Sequence, residues 1–383
     1  MNHKNTKKQF NRNHTDYCRG VPVALIFLSF YMVTVLFFHS STQAQDITLH
    51  TWEVYLQQGI TNDGADRLIF MDILTGDVTS AQVFGERYTP FGDKILFFDP
   101  VNRSVMTINT IGTVTAHPFI QLGTARRVDW VFSAEQRFVA WTLTYDDADG
   151  LRTVTQVATP DGMNQRVVFE EGARSDGLRA LPIAFSVDSN ALIMDFHPDI
   201  ISAFAPYTQY AGLFRLSLAD SNITALPDDD TPCFCSAALR AGQLVRLSVT
   251  SDLSGFDVLF FDLASSVRDT IDAIPLNGFT QAGNILISPD GRRAVYAMSQ
   301  VPNFSVSPPE IRTVLMSVNL DTMTQEQVSD PITRYLRPIR WTEDNSAILF
   351  ISPDRDGIWK INLADGELTR VAEATFIGVL HSN

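Results

Sequence analysis

ISPDGRRAVYAMS, Ile287–Ser299, holds a turn and a strand in one short stretch. Pro289 presets φ for the second position of a turn, Asp290 can bond back to nearby N–H groups, and Gly291 accepts the left-handed conformation that closes a tight hairpin. The run that follows, Ala294–Met298, is apolar without a break. A strand reads this way when both of its faces are buried.

Weaker copies recur along the chain: TPFGDKILFFD from Thr89, FSAEQRFVAWTL from Phe132, FSVDSNALIMDF from Phe185, CSAALRAGQLVRLSV from Cys235 and WTEDNSAILFIS from Trp341. Their anchor hydroxyls, Thr89, Ser133, Ser186, Ser236, Ser288 and Thr342, are spaced by roughly 44 to 54 residues, the period of four-stranded propeller blades. A second strand follows each copy, as in DVLFFDLASS from Asp257 and IWKINLADGE from Ile358, and then a more polar segment. No long helix is expected after the N-terminal segment. The first unit, from about Asp46, lacks an anchored strand, and the C-terminal TFIGVLHSN ends in a surplus one with Ser382 at the anchor. The expectation is an all-β, seven-bladed β-propeller in which the C-terminal strand, Thr375 to Ser382, closes the first blade beside Trp52 and Val54. Closure of this kind removes exposed sheet edges. Six blades is the alternative, if the first unit is an elaboration.

SPDG followed by an apolar run resembles the repeats of TolB-like propellers, also called PD40 or WD40-like repeats. The resemblance spans most of residues 46–383, and Ser288–Gly291 carries the motif intact. It implies a binding role, since TolB is a periplasmic partner-binding protein. Similar repeats form the propeller of prolyl-oligopeptidase-like peptidases, whose α/β-hydrolase domain this length leaves no room for.

Residues 1–44 carry five basic residues against Asp16, a net of +4, so the remainder carries −14 − 4 = −18. A body this acidic repels nucleic acid and anionic membrane surfaces. The basic lead is followed by the apolar run Val21 to Phe38 and then HSSTQAQ, with Thr42 and Ala44 at −3 and −1 of a cut before Gln45. This is the layout of a signal peptide, and the run is also near the length of a membrane anchor. The division is therefore 1–44, signal or anchor, and 45–383, the propeller. Both alternatives put the body outside the cytoplasm: periplasmic, cell-surface or secreted.

Little in the sequence points to catalysis. There is no G-x-S-x-G, H-E-x-x-H, phosphate loop or dinucleotide fingerprint. His50, His117, His197 and His381 are scattered, and His381 falls on the strand expected to line the channel. If TPCFCS is a strand, Cys233 and Cys235 share one face at a separation at or past the disulfide limit, and they read as two small buried residues. Asp147 with Asp149, and Asp354 with Asp356, each read D-x-D-G; carboxylates so spaced can meet at Ca²⁺, but Asp-Gly between apolar runs is also the ordinary hairpin turn. No catalytic residue and no cofactor is expected. The candidate binding residues are Phe204, Tyr207 and Tyr210, exposed or half-exposed in the insertion SAFAPYTQY, and Phe304 in the similar insertion VPNFSVSPPE.

These features favour an exported, non-enzymatic propeller that binds a protein, peptide or cell-wall component. The alternative is a hydrolase or lyase with its site in the central channel. Charged groups converging at the channel mouth would favour the enzyme, and an apolar or aromatic face the binder.

Overall fold

Among the described residues, alternating apolar runs and tight turns give twenty-eight strands, all antiparallel, in seven four-stranded sheets. The computed structural model describes residues 50–59, 64–199, 207, 209–227, 236–240, 242–303, 310–352 and 357–382. All belong to one unit, Leu49–Asn383. The apolar run Val21 to Phe38, Cys233 and Cys235 lie outside the described residues.

In the first blade β1 (His50–Gln57), β2 (Asp66–Asp72) and β3 (Val78–Val83) run outward from the axis. The second holds β4 (Glu86–Phe91), β5 (Lys94–Asp99), β6 (Ser104–Asn109) and β7 (Val114–Ala116), and the third β8 (Arg127–Phe132), β9 (Val139–Asp147), β10 (Gly150–Ala158) and β11 (Arg166–Arg174). The fourth holds β12 (Leu178–Phe185), β13 (Ala191–Pro198), β14 (Leu213–Ser217) and β15 (Ile223–Ala225), and the fifth β16 (Ala237–Arg240), β17 (Gln243–Val249), β18 (Phe256–Asp262) and β19 (Val267–Ile271). The sixth holds β20 (Gln281–Ile287), β21 (Arg293–Asn303), β22 (Glu310–Asn319) and β23 (Thr324–Gln327), and the seventh β24 (Arg337–Trp341), β25 (Ala347–Ile351), β26 (Ile358–Asn362) and β27 (Leu368–Ala372). The last strand, β28 (Thr375–Ser382), returns as the innermost strand of the first blade, with Leu380 opposite Trp52 and Gly378 opposite Val54. Seven blades and the C-terminal closure are as the repeat implies; the six-bladed alternative fails because the first unit is a full blade once β28 joins it.

The second strand of each blade is sandwiched between neighbouring blades, hence its unbroken apolar character. Ala294, Val295, Tyr296, Ala297 and Met298 are all fully buried. The core consists of interblade layers, such as Val54, Leu68, Phe70, Ile95, Phe97, Ile108 and Leu380 between the first and second blades.

The turn after β20 works as its chemistry requires. Ser288 Oγ donates to Asp290 Oδ1 (2.5 Å) and accepts from the Arg293 N–H (2.9 Å), and Gly291 sits at φ 73°. Ser186 with Asp188 and Thr342 with Asp344 repeat it, and Ser133 accepts from the Phe138 N–H. Thr89 and Ser236 are not turn anchors. In those blades the strands pair right up to the turn, Phe91 with Lys94 and Arg240 with Gln243, so the hairpin closes after the hydroxyl's own strand and the sequence copies are out of register with the structure. Thr89 instead accepts from the Trp130 indole N–H, and Ser236 from the Ile285 N–H. A further motif, Thr159-Pro160-Asp161-Gly162, builds the same hydroxyl–carboxylate turn between β10 and β11. Most other turns between third and fourth strands begin on Asp72, Asn109, Asp262, Asn319 or Asn362, whose side-chain oxygens accept backbone N–H groups.

Because strand direction alternates, first-to-second and third-to-fourth turns emerge on one face of the ring, here the hairpin face. Second-to-third loops and blade-to-blade connections emerge on the other, the insertion face.

His117 is buried after β7, in an aromatic cluster with Phe91 and Phe119. Its Nδ1 accepts from the Ile120 N–H (3.0 Å), so the neutral tautomer fits and a proton on Nδ1 would meet another donor. Burial, helped by Lys94, lowers its pKa from 6.5 to about 4. The unfolded chain therefore takes up this proton first, and stability present above pH 6.5 is lost as the pH falls toward 4. Denaturant unfolding at pH 7 and pH 4.5 is expected to show wild type losing about 2 kcal/mol more than His117→Gln. Equal losses would mean that His117 is not held neutral.

Candidate functional site

The innermost strands line the channel, and five of the seven carry a β-bulge: β28, β4, β12, β20 and β24. A bulge bends its strand and re-aims side chains. In β4 it falls between Glu86 and Thr89, where Arg87 adopts φ 62°, a conformation uncommon for a residue with a side chain.

From this bulge Arg87 reaches the neighbouring blade. Its guanidinium stacks on Trp130 (4.5 Å), pairs with Asp129 Oδ1 (2.9 Å) and donates to the Val128 carbonyl. Asp129, near the start of β8, is buried at the centre of an ionic network. Arg179 of β12 donates to its Oδ2 at 2.5 Å, and Arg127 Nε approaches it at 3.4 Å. Arg179 is only 1% exposed and also pairs with Asp199 Oδ1 (3.0 Å). Arg126 then joins Asp199 to Asp146 on the rim. Innermost strands of three consecutive blades are thus stitched together by charge at the insertion-face mouth of the channel.

Burial alone would raise the Asp129 pKa; Arg87, Arg179 and Arg127 outweigh it and hold the carboxyl below its usual range. Burial pulls Arg87 and Arg179 below their ordinary value, against the opposing pull of Asp129. Asp129 has spent both oxygens on Arg87 and Arg179, which leaves Arg127, 40% exposed, with only the long Nε contact to it.

Next to this network, Asp195 and His197 of β13 form a pair, Oδ2 to Nδ1 at 3.2 Å. Asp195 is fully buried, and its Oδ1 accepts from the Ala211 and Gly212 N–H groups (3.0 and 2.8 Å). His197 lies opposite Arg179 in the β12–β13 ladder. The arrangement can orient an imidazole.

The sequence candidates fall as follows. Tyr207 is not exposed. It is 2% accessible, its hydroxyl hydrogen-bonded to Ser299 (2.5 Å) and its ring against Tyr335 at 5.1 Å. Gly283 of β20 makes room for it, since a Cβ there would lie 2.3 Å from the Tyr207 Cβ. A residue of the fourth blade's insertion is therefore seated on the sixth blade, an anchoring contact rather than a free aromatic surface. Tyr210 is half-buried, and its carbonyl accepts from Arg246 (3.4 Å). Phe204, Phe304, Asp354 and Asp356 lie outside the described residues. Asp147 ends β9 and Asp149 is the second residue of the two-residue hairpin that follows, and Asp147 is paired with Arg152 (2.8 Å). Among the described residues no group of three His, Cys, Asp or Glu side chains could hold a metal. His381 is exposed at the hairpin-face end of β28, 3.5 Å from the Thr51 hydroxyl, and takes no part in the mouth. The mouth arginines carry no sequence signal beyond their type, because each comes from a different repeat.

No protein-family profile matches the chain, and no curated protein matches it in sequence. Solved structures are similar in fold. A prolyl endopeptidase shares 11% identity at a TM-score of 0.58 over 82% of this chain, which spans only 47% of that one. An oligogalacturonate lyase, solved in complex with manganese, shares 17% identity at a TM-score of 0.50 over 84% of both chains. At these identities the likeness concerns fold alone, and it agrees with the strand order: this chain is a seven-bladed β-propeller.

Proposed function

We propose that this chain is an exported, TolB-like propeller whose insertion face binds a protein, a peptide or a cell-envelope component, without catalysis. The observation that carries the reading is the convergence of Arg87, Arg127 and Arg179 on Asp129 at the channel mouth, on the face that also bears both long insertions. Buried charge is costly to a scaffold, whereas arginines held rigidly at a concave surface suit recognition of a polar partner. The basic lead and apolar run at the N-terminus support export, with the segment 21–38 either removed or kept as a tether.

Photocrosslinking tests the face used. A photoreactive residue replacing Asp146, on the insertion-face rim, is expected to give a discrete envelope-protein adduct that excess unmodified chain competes away. The same residue replacing Asp321, on the hairpin face, gives none. Adducts of equal yield at both positions would end the reading.

The charged mouth also supports a second reading, a hydrolase or lyase. A histidine oriented by a buried carboxylate suits a general base; His197 and Asp195 stand in that relation. An activity abolished by His197→Ala, with crosslinking at position 146 intact, would put this reading first.

A further inference from the structure

On the opposite face the described residues leave a cleft in the wedge between the fourth and fifth blades. Five other junctions are tied across this face: Thr79 to the Thr110 carbonyl, the Gly92 N–H to Gln136, Arg166 to the Leu218 carbonyl, Arg240 to the Pro289 carbonyl and Arg293 to the Asn345 carbonyl. Between β15 and β16, which are only three and four residues long, a cleft of about 1180 Å³ remains. Small residues such as Ala184, Ala225 and Gly242 leave it open, and Phe185, Ile193, Leu226, Leu239, Phe261 and Leu263 make its walls apolar.

Arg215 of β14 stands in this wall, half-buried, with no hydrogen bond or ion pair to any described residue. Asp188, the carboxylate whose field reaches it, is committed to its own turn. It accepts from the Ser186 hydroxyl, the Asn190 N–H and the Asn190 amide. Asp262, also on the cleft, accepts from the Ala264 and Ser265 N–H groups. The cleft thus combines an apolar body with a guanidinium whose donors are unspent, and its carboxylates are turned away. Water cannot satisfy the apolar walls, and a purely apolar ligand would leave a half-buried charge unmatched.

We infer that this cleft binds a single-chain amphipathic carboxylate of the fatty-acid class, its hydrocarbon between the fourth and fifth blades and its head group on Arg215. The site is independent of the insertion face and of the function proposed for it. Each methylene buried strengthens binding about three- to fourfold, up to the length of the cleft, and the bidentate guanidinium–carboxylate pair selects the acid over the alcohol.

The test is photolabelling of the full-length chain with a diazirine analogue of dodecanoate, with adducts mapped by mass spectrometry. Expected are adducts in 184–193 and 261–268 that dodecanoate competes away, octanoate at least tenfold less effectively and dodecanol at least tenfold less. Arg215→Ala should weaken competition by dodecanoate about tenfold and leave that by dodecanol unchanged. Ala225→Trp, which fills the cleft, should abolish labelling there without altering the melting temperature. Adducts elsewhere only, equal competition by acid and alcohol, or an Arg215→Ala chain that labels as wild type would each overturn the inference.

Discussion

Removing residues 375–383 is expected to abolish the cooperative thermal transition of the chain and to turn a monodisperse protein into an aggregating one. β28 is the innermost strand of the first blade, paired with β1 from His50–Ser382 to Leu56–Thr375. It also carries the chain from the seventh blade to the first, where Arg340 stacks on Phe376 at 5.2 Å. Its loss strips β1 of a full ladder, opens the layer that Leu380 shares with Val54 and Ile95, and leaves an unpaired apolar edge. The single replacement Leu380→Ala separates packing from closure. It should cost about 3 kcal/mol, the usual cost of truncating a fully buried leucine, while the ring stays closed. Thermal unfolding with size-exclusion chromatography checks both. A truncated chain that melts with the intact one and stays monodisperse would show that the ring does not depend on its last strand.

Asp129→Ala should destabilise the protein by about 3–5 kcal/mol, the range for removing one member of a buried ionic group. Arg179, 1% exposed, would lose its 2.5 Å partner and keep only Asp199, and Arg87 would be left with the Val128 carbonyl and the Trp130 ring. Adding Arg179→Met should recover part of that loss, because an apolar side chain of similar size removes the stranded charge. Urea unfolding of wild type, single and double variants measures the coupling. A single variant within 1 kcal/mol of wild type, on the scale expected of exposed pairs, would mean that water reaches the network and that it is not buried in solution.

Asp129 also marks where sequence reading stops. Its partners Arg87 and Arg179 lie roughly a blade away on either side, and nothing in the local pattern VDW singles out this carboxylate from the other acidic residues of the chain. Arg87 is aimed by a bulge in β4, and a bulge has no reliable signature in a single sequence. Tyr207 was legible as part of a long insertion, but its burial depends on Gly283 and Ser299 of a blade two units further on. Thr89 and Ser236 mimic turn anchors because a hydroxyl before a Gly-containing segment looks the same in either register. Only the ladder shows that the hairpins close beyond the pairs Phe91–Lys94 and Arg240–Gln243.

The structure decided for seven blades over six, and the sequence by itself determined the four-stranded blades and the closing strand. These follow from short-range chemistry: Ser288, Asp290 and Gly291 build a turn from residues at most five apart, and runs such as Ala294–Met298 are apolar because a strand between two blades has no face in water. Tertiary structure alone decided the mouth and the cleft. Arg87, Asp129 and Arg179 meet only because three innermost strands are brought side by side at a common height. Arg215 faces an open wedge only because the small residues of two blades happen to oppose one another there. Strand and turn are local free-energy minima written in adjacent residues, whereas a site on a propeller is a sum over blades, each contributing one side chain through the relative placement of its sheet.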